Sequence, residues 1–150
     1  MQTKVPPPFY ALLAALLAIG ANLLTPGWRV LPYLALWVGV ALMVAGGFVV
    51  VTAVVQFKRA GTTIEPMDPS RTSTIVTTGA FRLSRNPMYL AMFAEVLGLA
   101  LILRNPLALI GPLLFPVVVT VLQIIPEERA LNLKFGAQYQ DYCARVRRWI

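Results

Sequence analysis

Four apolar runs, residues 9–24, 30–57, 88–103 and 107–125, fill more than half of this 150-residue chain, and Glu95 is the one charged residue inside them. An apolar helix of about 20 residues crosses bilayer hydrocarbon while satisfying its own backbone, which an isolated strand or open loop cannot do. The runs therefore predict an all-α integral membrane protein with four transmembrane helices in a single domain. Charged residues supply 13% of the chain, about half the share usual in a soluble domain, and the mean hydropathy is +0.72.

Turn chemistry marks the ends of the runs. Thr25-Pro26-Gly27 closes the first, and Arg104-Asn105-Pro106 joins the third to the fourth so tightly that the two must be antiparallel neighbours. Pro112 and Pro116 predict a bend in the fourth span. In the second, Ala35 with Gly39 and Ala41 with Ala45 set small residues four apart for close helix contact. The first run has a competing reading as a cleavable signal peptide, since Lys4 precedes it and Ala18-Ile19-Gly20 is a small-residue site, although Pro6 to Pro8 are foreign to such a segment. Beyond Pro126, Leu131, Phe135, Tyr139 and Tyr142 recur at helical spacing among charged residues, which predicts an amphipathic interfacial helix over 126–150. Residues 58–87 form a polar segment with turn signals at Ala60-Gly61 and Asp68-Pro69, too long for an idle connection.

Four spans put the N-terminus, the 58–87 segment and the C-terminal tail on one side. That side holds all but two of the 13 Lys and Arg, the exceptions being Arg29 and Arg104. The positive-inside rule makes it cytoplasmic, with both termini there, as in a prokaryotic inner membrane. The net charge of +7 then belongs to a face meeting membrane lipids and not to a nucleic-acid interface. With no histidine and one cysteine, Cys143, the chain has no intramolecular disulfide, no Cys/His zinc site and no histidine-based acid, base or triad; no metal is expected.

The polar clusters, residues 72–89 and Glu127-Glu128-Arg129, both fall on the cytoplasmic side, where the hairpin of spans three and four brings them into one pocket open to water and lipid. In order, Gly79-Ala80-Phe81-Arg82, Arg85-Asn86-Pro87-Met88-Tyr89, Glu127-Glu128, Phe135-Gly136, Tyr139 and the ending Val146-Arg147-Arg148-Trp149 resemble the isoprenylcysteine carboxyl methyltransferase and phospholipid methyltransferase superfamily. The resemblance covers roughly residues 61–150. It implies a membrane enzyme without a Rossmann fold, taking S-adenosyl-L-methionine from the cytosol and methylating a lipid-like or prenylated acceptor at the membrane boundary. The cofactor contacts it implies fall on Ser73, Thr74, Ile75, Val76, Phe81, Asn86, Pro87, Met88, Tyr89, Glu127 and Glu128, with Arg85 and Glu127 serving catalysis. Two positions depart from the eukaryotic carboxyl methyltransferases: Asn86 stands where they carry histidine, and Gln123 where they carry an arginine that holds the acceptor. Gln123 remains an acceptor contact in this reading, with Arg129, Arg82 or Arg85 supplying the missing charge.

Methyl transfer from a sulfonium is an in-line displacement that asks chiefly for alignment and exclusion of water. A carboxylate acceptor needs no base. An amine must first lose a proton, and only Glu127, Glu128, Glu95 or a tyrosine is on hand to take it. This favours an isoprenylcysteine-type carboxylate; a phospholipid amine and a non-enzymatic small membrane protein are the alternatives. Each residue also has a plainer explanation. Glu127 and Glu128 in a first helical turn would complement the helix dipole by ~0.3 to 1 kcal/mol. Arg82 and Arg85 suit positive-inside anchoring, Tyr89 an aromatic belt, and Phe81 a buried loop. Gly79 fits a turn with positive φ. Glu95, an ionisable group inside a span, is either an acceptor contact, a protonated acid, or a partner of Thr120 or Gln123. Arg145, Arg147 and Arg148 read as anionic-lipid anchors, with Trp149 at the interface and Cys143 as a small packing residue.

Overall fold

A computed structural model describes residues 5–61 and 74–150, so the expected contact at Ser73 and the turn at Asp68-Pro69 lie outside the described residues. The chain runs α1 (Pro7–Leu24), a 3₁₀ turn (Pro26–Trp28), α2 (Tyr33–Arg59), a 3₁₀ turn (Gly79–Arg82), α3 (Pro87–Leu103), a 3₁₀ turn (Pro106–Leu109), α4 (Ile110–Val119), a π turn (Thr120–Ile124), α5 (Ile125–Phe135) and α6 (Ala137–Arg145). No strand occurs among the described residues. α1, α2 and the continuous helix Pro106–Phe135 are long and apolar enough to cross a membrane; α3 is apolar but has 17 residues. Leu12, Leu34, Trp37, Phe48, Leu113 and Val121 point outward, as side chains bathed in lipid must.

α2 packs chiefly on α3, through a seam of small residues. Gly39, Gly46 and Ala53, seven apart and therefore on one helix face, are its buried residues. A Cβ on Gly39 would stand 2.5 Å from the Gly98 carbonyl oxygen, and one on Gly98 would stand 2.6 Å from that of Gly39. Backbones this close exchange dispersion contacts that larger side chains would prevent. Of the four-residue pairs expected from sequence, Ala35 with Gly39 brings Gly39 to the contact, whereas Ala41 and Ala45 are exposed, and the seam continues at seven-residue spacing.

The largest departure from expectation lies at the end of the fourth span. The helix does not stop at Pro126 but continues to Phe135. Prolines at 116 and 126 remove two backbone donors, and the intervening Thr120–Ile124 segment widens to π geometry, with the N–H of Ile125 reaching the carbonyl of Thr120. Widening of this kind lets a helix carry proline without ending. The break comes at Gly136 instead, where φ is +50°, and α6 is a separate nine-residue helix followed by extended chain from Val146. The single helix expected over 126–150 is thus three pieces.

At the far end from the polar cluster the two short connections are stitched together. Asn105, fully buried, donates to the Thr25 hydroxyl at 2.8 Å and accepts from the Leu107 N–H. Arg104 donates to the Leu31 carbonyl at 2.8 Å and covers the Tyr33 ring.

Candidate functional site

A cavity of about 370 Å³ opens where α3 begins, walled by the N-terminus of α1, the end of α2, residues 74–76, α5 and α6. One wall is aromatic and apolar: Phe57 meets Phe81 edge to face at 5.2 Å, with Val76 buried beside them and Met88 packed against the cluster. The turn behind this wall requires glycine. Gly79 has φ of +59°, the expected positive value, and a Cβ there would collide with the Gln56 amide, which donates to the Thr78 carbonyl and accepts from the Ala80 N–H. Tyr142 secures the same turn by donating to the Phe81 carbonyl at 2.8 Å. Burial pushes the Tyr142 and Tyr139 phenols well above their ordinary range, so both remain neutral hydroxyls.

Tyr89, in the first turn of α3, donates its hydroxyl to Glu127 Oε2 at 2.9 Å. The phenol is buried, with the Gln123 side chain beside it. Because the helix passes unbroken through residues 124–126, Glu127 and Glu128 are not in a free first turn, and the dipole explanation for them lapses. They are instead one α-helical step apart, about 100°, and reach different partners.

Glu128 turns to two arginines. Arg148 grips it as a fork, Nη2 to Oε2 at 2.7 Å and Nε to Oε1 at 3.1 Å, while Arg85 Nη1 lies 3.4 Å from Oε1. The fork holds the Arg148 guanidinium more firmly protonated. Arg85 also donates to Cys143 Sγ at 2.6 Å. The C-terminal residues close over this motif: the Arg147 carbonyl accepts from the Arg85 N–H at 3.0 Å, and the Arg148 carbonyl from Asn86 Nδ2 at 3.0 Å. Trp149 packs against the core cluster that contains Tyr89 and Ile124. Arg148, half-buried, is thus engaged by Glu128, and Trp149 by the core, beyond the anchoring expected of them at the membrane surface.

Residues 34–138, more than half of the chain, match the phospholipid methyltransferase family. The chain belongs to that family. It is a membrane methyltransferase family within the isoprenylcysteine carboxyl methyltransferase superfamily. A Haemophilus influenzae protein described as uncharacterized is 41% identical over 63 residues, which cover 42% of this chain and all of the relative. No solved structure matches.

Within this phospholipid methyltransferase family member, Thr74, Ile75, Val76, Phe81, Arg85, Asn86, Pro87, Met88, Tyr89, Glu127 and Glu128 all line the same cavity. The four additional acceptor contacts do not. Arg82 and Arg129 point to solvent, and Gln123 is fully buried behind Tyr89. Glu95 faces α2 and not Thr120 or Gln123: its Oε1 lies 2.9 Å from where a Cβ of Gly46 would be, so the absence of a side chain there makes its room. Sequence reasoning missed Phe57, Met92, Leu131 and Pro6 to Pro8 as lining residues. The proline run was a usable signal, since three prolines before a span demand a fixed extended entrance to it.

Proposed function

We propose that this membrane methyltransferase uses S-adenosyl-L-methionine to methylate a lipid-like acceptor at the membrane–cytosol boundary, the acceptor group being a carboxylate of the isoprenylcysteine type. The observation that carries the reading is the convergence, in one cavity at the end of apolar helices, of an aromatic wall, the Tyr89–Glu127 pair and the Arg85 guanidinium. The residues fit the cofactor. A cavity of about 370 Å³ is of small-ligand size, Phe57 and Phe81 offer flat apolar surface to an adenine, and Glu127 offers negative charge to a sulfonium and an ammonium.

When bound, the cofactor supplies a methyl group made electrophilic by its positively charged sulfur. The chain supplies placement. Tyr89 fixes the Glu127 carboxylate, which would hold the cationic end of the cofactor, and residues 74–76 and Asn86 to Met88 would complete its binding surface. Arg85 draws in the anionic head of the acceptor, while Met92, Leu131 and Pro6 to Pro8 keep water from its apolar part. A carboxylate oxygen attacks without losing a proton, in keeping with a site whose two acids are already engaged by Tyr89 and by Arg148. A phospholipid amine is the second reading, favoured by the family's description and by the two carboxylates as proton acceptors.

In the same proposal α1, α2, α3 and Pro106–Phe135 are four spans, α3 reaching about 26 Å and drawing the bilayer slightly thin around it. Both termini then face the cytoplasm of a prokaryotic cell, and α6 lies at the interface with Tyr139 and Tyr142 inward and Gln138, Gln140 and Asp141 outward. Purified protein in nanodiscs, given methyl-labelled cofactor with either a farnesylated cysteine or phosphatidylethanolamine, tests the acceptor. Label released as methanol by base from the first acceptor is expected; label retained on the phosphatidylethanolamine headgroup instead selects the amine reading. No label in either, from protein that binds cofactor, contradicts both.

A further inference from the structure

The strongest unassigned feature is the hold that residues 146–150 keep on the charged side of the cavity. The backbone of this tail accepts three hydrogen bonds from the segment that presents Arg85: from the Arg85 N–H to the Arg147 carbonyl, and from Asn86 Nδ2 and the Ser84 hydroxyl to the Arg148 carbonyl. Its side chains act in the opposite direction, on α5, where Arg148 forks onto Glu128. Glu128 is thus shared unequally, at 2.7 Å with Arg148 and 3.4 Å with Arg85. A carboxylate claimed by a bidentate fork is fixed in direction and largely neutralised. Arg85 is left with a weaker counter-ion and a buried Nε that has no hydrogen-bond partner.

We infer that the C-terminal tail is a working part of the site and that Arg148 is a positioning residue, which acts through Glu128 to set the place and free charge of Arg85. Glu128 is then not a cofactor ligand but the joint between the tail and the guanidinium. The inference rests on the cofactor reading above. It predicts that Arg85, and every group aligned on it, shifts when the fork is undone, even though Arg148 itself does not line the cavity.

The test is full-length protein in nanodiscs, with Trp28→Phe and Trp37→Phe so that Trp149 is the sole indole. Acrylamide quenching reports whether the tail is docked, and calorimetry reports binding of S-adenosylhomocysteine. Arg148→Ala is expected to expose Trp149 and weaken binding by about tenfold, the order lost with a charge-assisted hydrogen-bond pair. Arg148→Lys should recover part of both, because an ammonium can bond Glu128 but cannot fork. In a Glu128→Gln background, Arg148→Ala should have no further effect on binding. Parent-like affinity in Arg148→Ala, whether or not Trp149 becomes exposed, overturns the positioning role, as does an undiminished effect in the Glu128→Gln background. A docked parent that binds no cofactor overturns the functional reading and this inference with it, so the two failures are distinguishable.

Discussion

A carboxylate at the end of an apolar helix needs a donor, and for Glu127 that donor is the hydroxyl of Tyr89. Glu127→Gln, nearly the same shape without the charge, is expected to weaken S-adenosylhomocysteine binding by at least about tenfold, as measured by calorimetry. Tyr89→Phe removes only the orienting hydroxyl; a fall of about tenfold in kcat/KM, larger than the change in cofactor affinity, is the expected result. Gly79→Ala tests the turn behind the aromatic wall. It combines a left-handed φ with a collision against the Gln56 amide, and should cost about 1–2 kcal/mol or more, visible as a melting temperature lowered by several degrees. At this scale the sequence was informative where a residue's chemistry is local, as at Gly79, and silent where it depends on a distant partner. Nothing adjacent to Arg148 tells that its charge belongs to a carboxylate 20 residues earlier.

For the helices, what the sequence made legible was their existence and not their contacts. The first three apolar runs became helices within a few residues of their expected ends, because hydrocarbon length and turn prolines constrain them strongly. The fourth run continues past its expected end to Phe135, because a π turn at Thr120–Ile124 accommodates the prolines and carries Glu127 and Glu128 into mid-helix. The α2–α3 seam makes its own prediction. A Cβ on Gly39 would meet the Gly98 carbonyl, so Gly39→Ala should force the helices apart and destabilise the fold by about 1–3 kcal/mol in detergent melts. Gly20→Ala on α1, where nothing lies within 4 Å of the added carbon, should leave the melt unchanged or slightly raised. Equal effects at the two glycines would contradict the seam.

For the whole molecule, lipid-facing helices deliver polar groups to one end, and that end holds the cavity. That the motifs between residues 74 and 128 meet was legible because a hairpin must return its two ends to the same side. The tail's part was not legible: residues 147 and 148 bond the backbone and side chains of residues 84–86, more than 60 positions earlier, and no local pattern announces that pairing. The proposed orientation is open to a direct check. Single cysteines placed at Lys58 and at Arg29, with Cys143→Ser, should react with an impermeant maleimide from the cytoplasmic and the opposite side respectively; the reverse pattern would invert the topology.

The central claim is that the cavity under the Tyr89–Glu127 pair is a cofactor site. Titration calorimetry of S-adenosylmethionine and S-adenosylhomocysteine into the nanodisc-embedded chain, with Glu127→Ala alongside, tests it most directly. The account predicts saturable one-to-one binding of both by the parent, lost in the variant. A folded parent that binds neither, or a Glu127→Ala protein that binds as the parent does, would contradict it.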